Sequence, residues 1–393
     1  MERIGIYGGT FNPPHIGHIQ AAKCAVDVLK LDKLLMIPDR VAPHKQIPEG
    51  SPTPEQRLEM LRIGTRGAGK IEVSDLELNR EGKSYTYETV AQVRKMHPEA
   101  EIFLMMGTDM FLSFHTWKNP HLILQDASLA VFYRGERGEI DAISKQKALM
   151  EEHGAKVTLV ENPVIDISST QLRRMLVFRC ADPFLPEGVG DYIRQKGLYG
   201  TGRDYRNLPV EELEKVVVSL LNANRVAHVL GCRNTAAELA RRWGADETDA
   251  ARAGLLHDIT KALDGPLQLT LCAEYGTILD DFGTQNPKTL HALTGSLVAQ
   301  RIFGENEAVV SSIRSHTTGK AAMNLLEKII YVADYMEPNR DFPGVEELRA
   351  LARTDMDAAL KWGLETTLEH LARQGSEVSP ESKEALAYLN AGK

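Results

Sequence analysis

Cysteine is scarce in this chain of 393 residues: Cys24, Cys180, Cys232 and Cys272 stand far apart, with no CxxC pair. Such spacing argues against a disulfide framework and against a thiolate zinc site. Long apolar runs are missing too. None approaches the roughly 18 residues of a membrane span, so no membrane partner is expected. Positive charge is in deficit, with 46 Lys+Arg against 54 Asp+Glu for a net charge of −8. Residues 1–200 carry 25 against 26, and residues 201–393 carry 21 against 28. Neither half has the basic excess that nucleic-acid binding wants. Small phosphorylated partners stay compatible, because a local pocket can be positive on an acidic domain. No internal repeat or low-complexity tract is present. The first residues read as a strand of the fold and not as a signal peptide, so the expected setting is the reducing cytoplasm. Composition leaves assembly into a homo-oligomer open.

What the chain does have is two kinds of text. In the first half, short apolar runs at Ile4–Tyr7, Leu34–Ile37, Ile102–Met106 and Leu129–Tyr133 alternate with helical patterns at Ile19–Leu29, Arg57–Ile63 and Thr86–Met96. Strands that barely alternate in polarity are those buried on both faces. The expected architecture is an α/β doubly wound parallel sheet built from right-handed βαβ units. Thr53-Pro54-Glu55-Gln56 is a capping box with proline at the first helical position. Strand patterning stops near Val164, and the chain beyond residue 208 reads as helical almost throughout. The predicted division is therefore an α/β domain over 1–200, a glycine-rich linker over 201–207 and an all-α domain over 208–393.

Two regions carry chemistry. In the first, Gly8-Gly9-Thr10-Phe11 follows a strand and leads to His15 and His18, three apart where a helix begins. Glycines let the backbone approach an anion, and a helix start offers free N–H groups and a positive dipole end. Residues three apart share a helix face, so both histidines can reach one phosphate chain. Gly107-Thr108-Asp109 follows a second strand, where a carboxylate can accept from ribose hydroxyls. Ser168-Ser169-Thr170 opens another helix, with Arg173 one turn on. Lys45 sits on a Pro-rich loop beside His44, placed to close over a phosphate. His97, His115, His121 and His153 read as solvated.

Together, GGTFNPPHIGH, PHK, GTD and ISSTQLR resemble the nucleotidyltransferase superfamily with its Rossmann-like sheet. More narrowly, residues 1 to about 200 resemble bacterial nicotinate mononucleotide adenylyltransferases, with SYTYETV and VGDYIRQKGLY as further matches. That resemblance implies transfer of the adenylyl group of ATP, with Mg²⁺, to nicotinate mononucleotide. It implies His15, His18 and Arg173 as catalytic groups on the triphosphate. Lys45 would bind substrate phosphate, Asp109 the ribose, Trp117 the pyridine ring, and Thr86 the nicotinate carboxylate through its backbone. Gly8, Gly9, Thr10, Phe11, Gly107, Ser168, Ser169 and Thr170 complete the expected binding set. Lys118 departs from the aromatic that many members carry there, which leaves the choice between acid and amide open, a lysine being compatible with the acid.

The second region is spread over the helical half. His228, the pair His257-Asp258, His291, His316 and Asp334 lie at helix ends or beside carboxylates. Imidazole and carboxylate suit divalent iron, manganese or zinc. Four histidines and two aspartates are too many for one ion with open positions and suit two ions about 3.5–4 Å apart sharing a carboxylate. His370, away from these contexts, reads as structural. The order H…HD…H…H…D resembles the HD phosphohydrolases, and AGLLHDITK, LHALTGSLVA, SHTTGK and EKIIYVADYMEPNR resemble the YqeK-type members. That resemblance implies symmetric hydrolysis of diadenosine tetraphosphate to two ADP. It implies His228, His257, Asp258, His291, His316 and Asp334 as ligands of two divalent ions, of iron in this family, with Asp258 also catalytic. Lys261, Thr317 and Arg340 would meet phosphate. Rival readings are an adenylyltransferase for another phosphorylated acceptor such as phosphopantetheine, and an HD half that is a nucleotidase, an alarmone hydrolase or a non-catalytic regulatory module.

Overall fold

Short apolar strands between amphipathic helices bury both sheet faces when the chain winds in both directions from a central strand. The computed structural model describes residues 1–41, 50–133, 135, 137–162 and 167–391, and divides into two units, Met1–Arg203 and Asp204–Lys393. Lys45 and His44 lie outside the described residues.

In the first unit the strands are β1 (Arg3–Gly9), β2 (Lys33–Pro38), β3 (Ile71–Val73), β4 (Glu101–Gly107), β5 (Ser128–Tyr133) and β6 (Val157–Glu161). The helices are α1 (Ile16–Val28), α2 (Pro54–Gly64), α3 (Thr86–Met96), α4 (Thr108–Leu112), α5 (Pro120–Asp126), α6 (Arg137–Glu152), α7 (Ser169–Val177) and α8 (Val189–Gln195). All strand pairs are parallel, in the order β3-β2-β1-β4-β5-β6. Ile4, Ile6, Leu104 and Val131 face one core; Leu34, Met36, Phe103 and Ala130 face the other. The edge strands β3 and β6 have no counterpart among the four apolar runs of the sequence. Ile71-Glu72-Val73 is only three residues long, and Val157–Glu161 is broken by Thr158 and Glu161.

Strand order reverses between β1 and β4, where Tyr7 lies opposite Met105. The carboxyl ends of these neighbours, Gly9 and Gly107, therefore open side by side at the topological switch point, where sheets of this type bind ligands.

The second unit is helical throughout its described residues. Its helices are α9 (Val210–Leu220), α10 (Ala223–Trp243), α11 (Glu247–Leu256), α12 (Gly265–Glu274), α13 (Asp281–Gln285), α14 (Leu290–Val298), α15 (Glu307–Ser315), α16 (Leu325–Met336), α17 (Val345–Ala352), α18 (Met356–Arg373) and α19 (Pro380–Asn390). Gly254 lets α11 lie close on α10, since a Cβ there would stand 2.8 Å from the Arg233 Cα. The C-terminal end of α11, with His257 and Asp258, is thus held against the middle of α10, with His228. Among the described residues no helix is long and apolar enough to cross a membrane, and none of the four cysteines forms a disulfide.

Candidate functional site

In the first unit, the turn after β1 is fixed from below. Arg57 of α2 is fully buried and donates to the carbonyls of Thr10 (2.6 Å) and Asp39 (2.7 Å) and to Asp39 Oδ1 (3.1 Å). Thr10 Oγ1 donates to Asp39 Oδ2 at 2.8 Å. The Thr10 hydroxyl proton and carbonyl oxygen are thereby committed to the fold. Phe11, expected in the binding set, adopts a left-handed φ of 46° and buries its ring, 2% exposed, edge-on to His18 at 5.0 Å. It steadies a histidine and is not open to a substrate through its side chain.

His18 Nδ1 accepts the backbone N–H of His15 at 3.2 Å. A neutral His18 accordingly carries its proton on Nε2, ready to donate. His15, 7% exposed, has a buried Nδ1 with no hydrogen-bond partner among the described residues. Burial pulls its pKa down from 6.5 to about 4, so the free ring is neutral at pH 7. The stability linked to this ring is complete above pH 6.5 and is lost as pH falls toward 4, by about 3 kcal/mol in all. A ring NMR titration should place the His15 midpoint near pH 4; a midpoint near 6.5 would contradict its burial.

The start of α7 meets the start of α1. Arg173 donates to the Asn12 carbonyl (2.8 Å) and to Thr170 Oγ1 (3.0 Å), and Ser169 Oγ donates to the Pro13 carbonyl (3.1 Å). Ser168 caps α7 in a capping box with Gln171. A cleft of about 800 Å³ opens between these helix starts and β4, lined by His15, His18, Gly107, Asp109 and Ser168 to Thr170. Glu139 also lines it and accepts from Thr108 Oγ1 at 2.5 Å; no local motif marks it. Gly8 and Gly9 end β1 and are not among the residues that line the cleft. Thr86 and Trp117 are not among its lining residues. Thr86 opens α3, and Trp117 packs on Phe114 at 5.3 Å. Lys118 Nζ, 4.0 Å above the Tyr85 ring, joins these two segments.

In the second unit, the six residues read as ligands meet at one centre. His228 Nε2 lies 3.2 Å from His257 Nε2 and 3.1 Å from Asp334 Oδ1. Asp258, 1% exposed, turns one oxygen to each side. Its Oδ2 is 3.4 Å from His257 Nε2 and 3.7 Å from His228 Nε2, and its Oδ1 is 3.5 Å from His291 Nε2 and 3.7 Å from His316 Nε2. That Oδ1 has no hydrogen-bond partner among the described residues. His257 Nδ1 faces the Gly254 carbonyl (2.8 Å) and His316 Nδ1 the Ile313 carbonyl (2.6 Å). A carbonyl only accepts, so each ring is protonated on Nδ1 and, when neutral, presents a lone pair at Nε2. Helices α11 and α15 both end here, which places the negative ends of two dipoles at the centre.

Converging lone pairs, an orphaned buried carboxylate oxygen and two helix C-termini fit divalent cations. Two groups satisfy metal-ligand spacing: His228, His257 and Asp334, and His257, Asp258 and His316. Burial opposes the charge on Asp258, yet His257, His316 and His291 hold its pKa well below the usual carboxylate range. Asp334 is held low in the same sense, against burial, by His228, His257 and Arg340. Both stay ionised.

Lys261 Nζ is 2.9 Å from His291 Nε2, and its pKa is lowered by burial. Thr317 Oγ1 is 3.1 Å from both His291 Nε2 and His316 Nε2, and Arg340 pairs with Asp334. Arg225, which the sequence shows only as a flank of His228, donates from Nε to Asp258 Oδ2 at 2.6 Å. His370 is remote in its contacts and pairs with Gln374.

Comparison with known proteins divides at the same place. A cytidylyltransferase-like family model matches residues 6–175 and an HD-domain model matches 225–339. A probable nicotinate-nucleotide adenylyltransferase of Clostridium tetani is 36% identical over 201 residues, 51% of this chain and 100% of its own. A symmetrical bis(5'-nucleosyl)-tetraphosphatase of Bacillus subtilis is 39% identical over 186 residues, 46% of this chain and 98% of its own. A crystal structure of a predicted HD superfamily hydrolase involved in NAD metabolism from Clostridium acetobutylicum is 36% identical. It covers 47% of this chain and 99% of that one, with a TM-score of 0.46.

Proposed function

Because the chain belongs to the cytidylyltransferase-like nicotinate-nucleotide adenylyltransferase family in its first unit and to the HD-domain family in its second, we propose that it is a bifunctional enzyme. The first unit transfers the adenylyl group of ATP to nicotinate mononucleotide. The second splits diadenosine tetraphosphate into two ADP.

For the transferase, the observation that carries the reading is the meeting of two helix starts at the switch point, with the unpartnered Nδ1 of buried His15 between them. A phosphate oxygen of nicotinate mononucleotide attacks the α-phosphorus of ATP, the bond to the β-phosphate breaks, and pyrophosphate leaves. Such in-line transfer needs positioning and charge neutralisation more than a covalent nucleophile. His18 donates from Nε2 to the triphosphate, His15 takes a second phosphate contact, and Arg173 follows the developing charge. Asp109 accepts from the ribose, and Lys45 is proposed as a further phosphate ligand. Trp117 and the Thr86 backbone are proposed for the pyridine ring and its carboxylate, with Lys118 favouring the acid. Mg²⁺ travelling with ATP supplies further neutralisation.

For the hydrolase, the carrying observation is the carboxylate of Asp258 set between two groups of imidazoles. The residues that would hold two divalent ions, of iron on the family reading, are His228, His257 and Asp334 on one side and His291 and His316 on the other, with Asp258 shared. Ions there would supply Lewis acidity and a water of lowered pKa. Arg225, Lys261 and Arg340 balance Asp258, Asp334 and Glu337, so two such ions would leave about four positive charges unmatched. A tetraphosphate bridge answers that surplus. Arg340, Lys261 and Thr317 hold its phosphates while water adds to one inner phosphorus. The central P–O–P bridge then opens, and each half departs as ADP.

Product analysis of the purified chain tests both halves. ADP is expected as the sole product from diadenosine tetraphosphate with Mn²⁺ or Fe²⁺, and nicotinic acid adenine dinucleotide with pyrophosphate from ATP and nicotinate mononucleotide. ATP plus AMP, or no turnover, overturns the hydrolase half. Faster transfer to phosphopantetheine or to nicotinamide mononucleotide overturns the choice of acceptor.

A further inference from the structure

His257 and His316 sit at helix ends, where backbone carbonyls are spare to take an Nδ1 proton. His228 sits inside α10, where the preceding carbonyls are already used by the helix, so an outside acceptor is needed. One is present. Oε1 of Glu337, a side chain 1% exposed at the C-cap of α16, lies 3.1 Å from His228 Nδ1. Oε2 of the same carboxylate accepts the backbone N–H and the side-chain amide of Asn339, each at 2.8 Å.

We propose that Glu337 is a positioning residue of the metal centre: its Oε1 accepts a hydrogen bond from the Nδ1–H of His228 and so holds the Nε2 lone pair toward the ion position shared with His257 and Asp334. This rests on the metal-centre reading above. Oε2 of the carboxylate already accepts from two N–H donors of Asn339, and with Oε1 facing Nδ1 as an acceptor the contact selects one tautomer of the ring. The fold makes room for it at Gly231, one turn beyond His228 on the same helix. A Cβ there would stand 2.3 Å from Glu337 Oε2 and 3.1 Å from Asn339 Nδ2. Glycine inside a helix is disfavoured relative to alanine, and the space left for the carboxylate explains its place.

Glutamine at 337 is nearly the same shape but cannot serve. With its carbonyl oxygen toward Asn339, its NH₂ faces His228 and drives the ring proton to Nε2, against the ion. With the carbonyl toward His228, its NH₂ meets the two Asn339 donors.

The experiment is a Mn²⁺ titration of metal-stripped full-length chain, reading free Mn²⁺ by electron paramagnetic resonance. It is run on wild type, Glu337→Gln and Gly231→Ala, with ion-free thermal unfolding alongside. Outer partners of metal-bound histidines are worth about 10–100-fold in affinity, and a loss of that size is expected at one of the two positions in both variants. Long-range ring ¹H–¹⁵N spectra should show His228 protonated on Nδ1 in wild type and no longer so in Glu337→Gln. A purely structural Glu337 would lower ion-free stability and leave Mn²⁺ affinity alone, which overturns the proposal. Failure of wild type to bind Mn²⁺ overturns the metal-centre reading and the proposal with it. If Glu337→Gln does not fold, Gly231→Ala keeps the carboxylate, displaces it, and carries the same comparison.

Discussion

Asp258→Ala is expected to lower the release of ADP from diadenosine tetraphosphate by more than about a hundredfold, beyond the range that outer partners reach. Its two oxygens face different imidazoles: Oδ2 faces His257 and His228, and Oδ1 faces His291 and His316. One substitution therefore removes a ligand from both ion positions, and bound metal per chain should fall together with rate. Asp258→Asn is the sharper companion. It keeps the shape and one acceptor but removes the charge that Arg225 pairs with, leaving a guanidinium where a cation should bind. Activity near the wild-type level in either variant would show that hydrolysis does not pass through this carboxylate.

His18→Ala should cost adenylyl transfer about 10²–10³-fold in kcat, the usual loss when one prearranged donor to developing charge is removed. The donor is prearranged in two ways. His15 N–H holds Nδ1 at 3.2 Å, which leaves the proton on Nε2, and Phe11 packs edge-on against the ring at 5.0 Å. His18→Asn retains an amide donor and should recover part of the loss. Transfer rates measured at saturating ATP decide the matter: a change of only a few-fold would remove His18 from the reaction and leave it as a helix cap.

Much of this is legible in the sequence because it is local. The Thr53 and Ser168 capping boxes, the strand-turn-helix around His15 and His18, and the His257-Asp258 pair each announce themselves within a few residues. The illegible parts are those made by distant partners. Glu337 meets His228 across 109 positions, and Arg57 meets the Thr10 carbonyl across 47. Neither pairing leaves a mark in any window of sequence. Arg225 is a mere flank of His228 in the sequence, since only the folded centre shows its guanidinium on Asp258. Phe11 and Thr10 teach a subtler point. Their place in a phosphate-binding motif says that the turn is needed, but it does not say which side chains face the ligand. One is spent on packing and the other on Asp39. β3 and β6 escape because edge strands are short and half polar, so burial leaves them little apolar pattern.

Arg225 and Arg340 pair with Asp258 and Asp334, and Lys261 lies against His291. The carboxylates are thus never left as bare charges in the interior, a situation that would cost several kcal/mol. On the proposed metal reading, ion uptake would exchange one set of positive neighbours for another inside a standing scaffold. It differs in kind from the case where the metal drives the polypeptide to fold. On the proposed reading, chelation is expected to leave the helical unit folded, because Arg225 and Arg340 would still pair with Asp258 and Asp334.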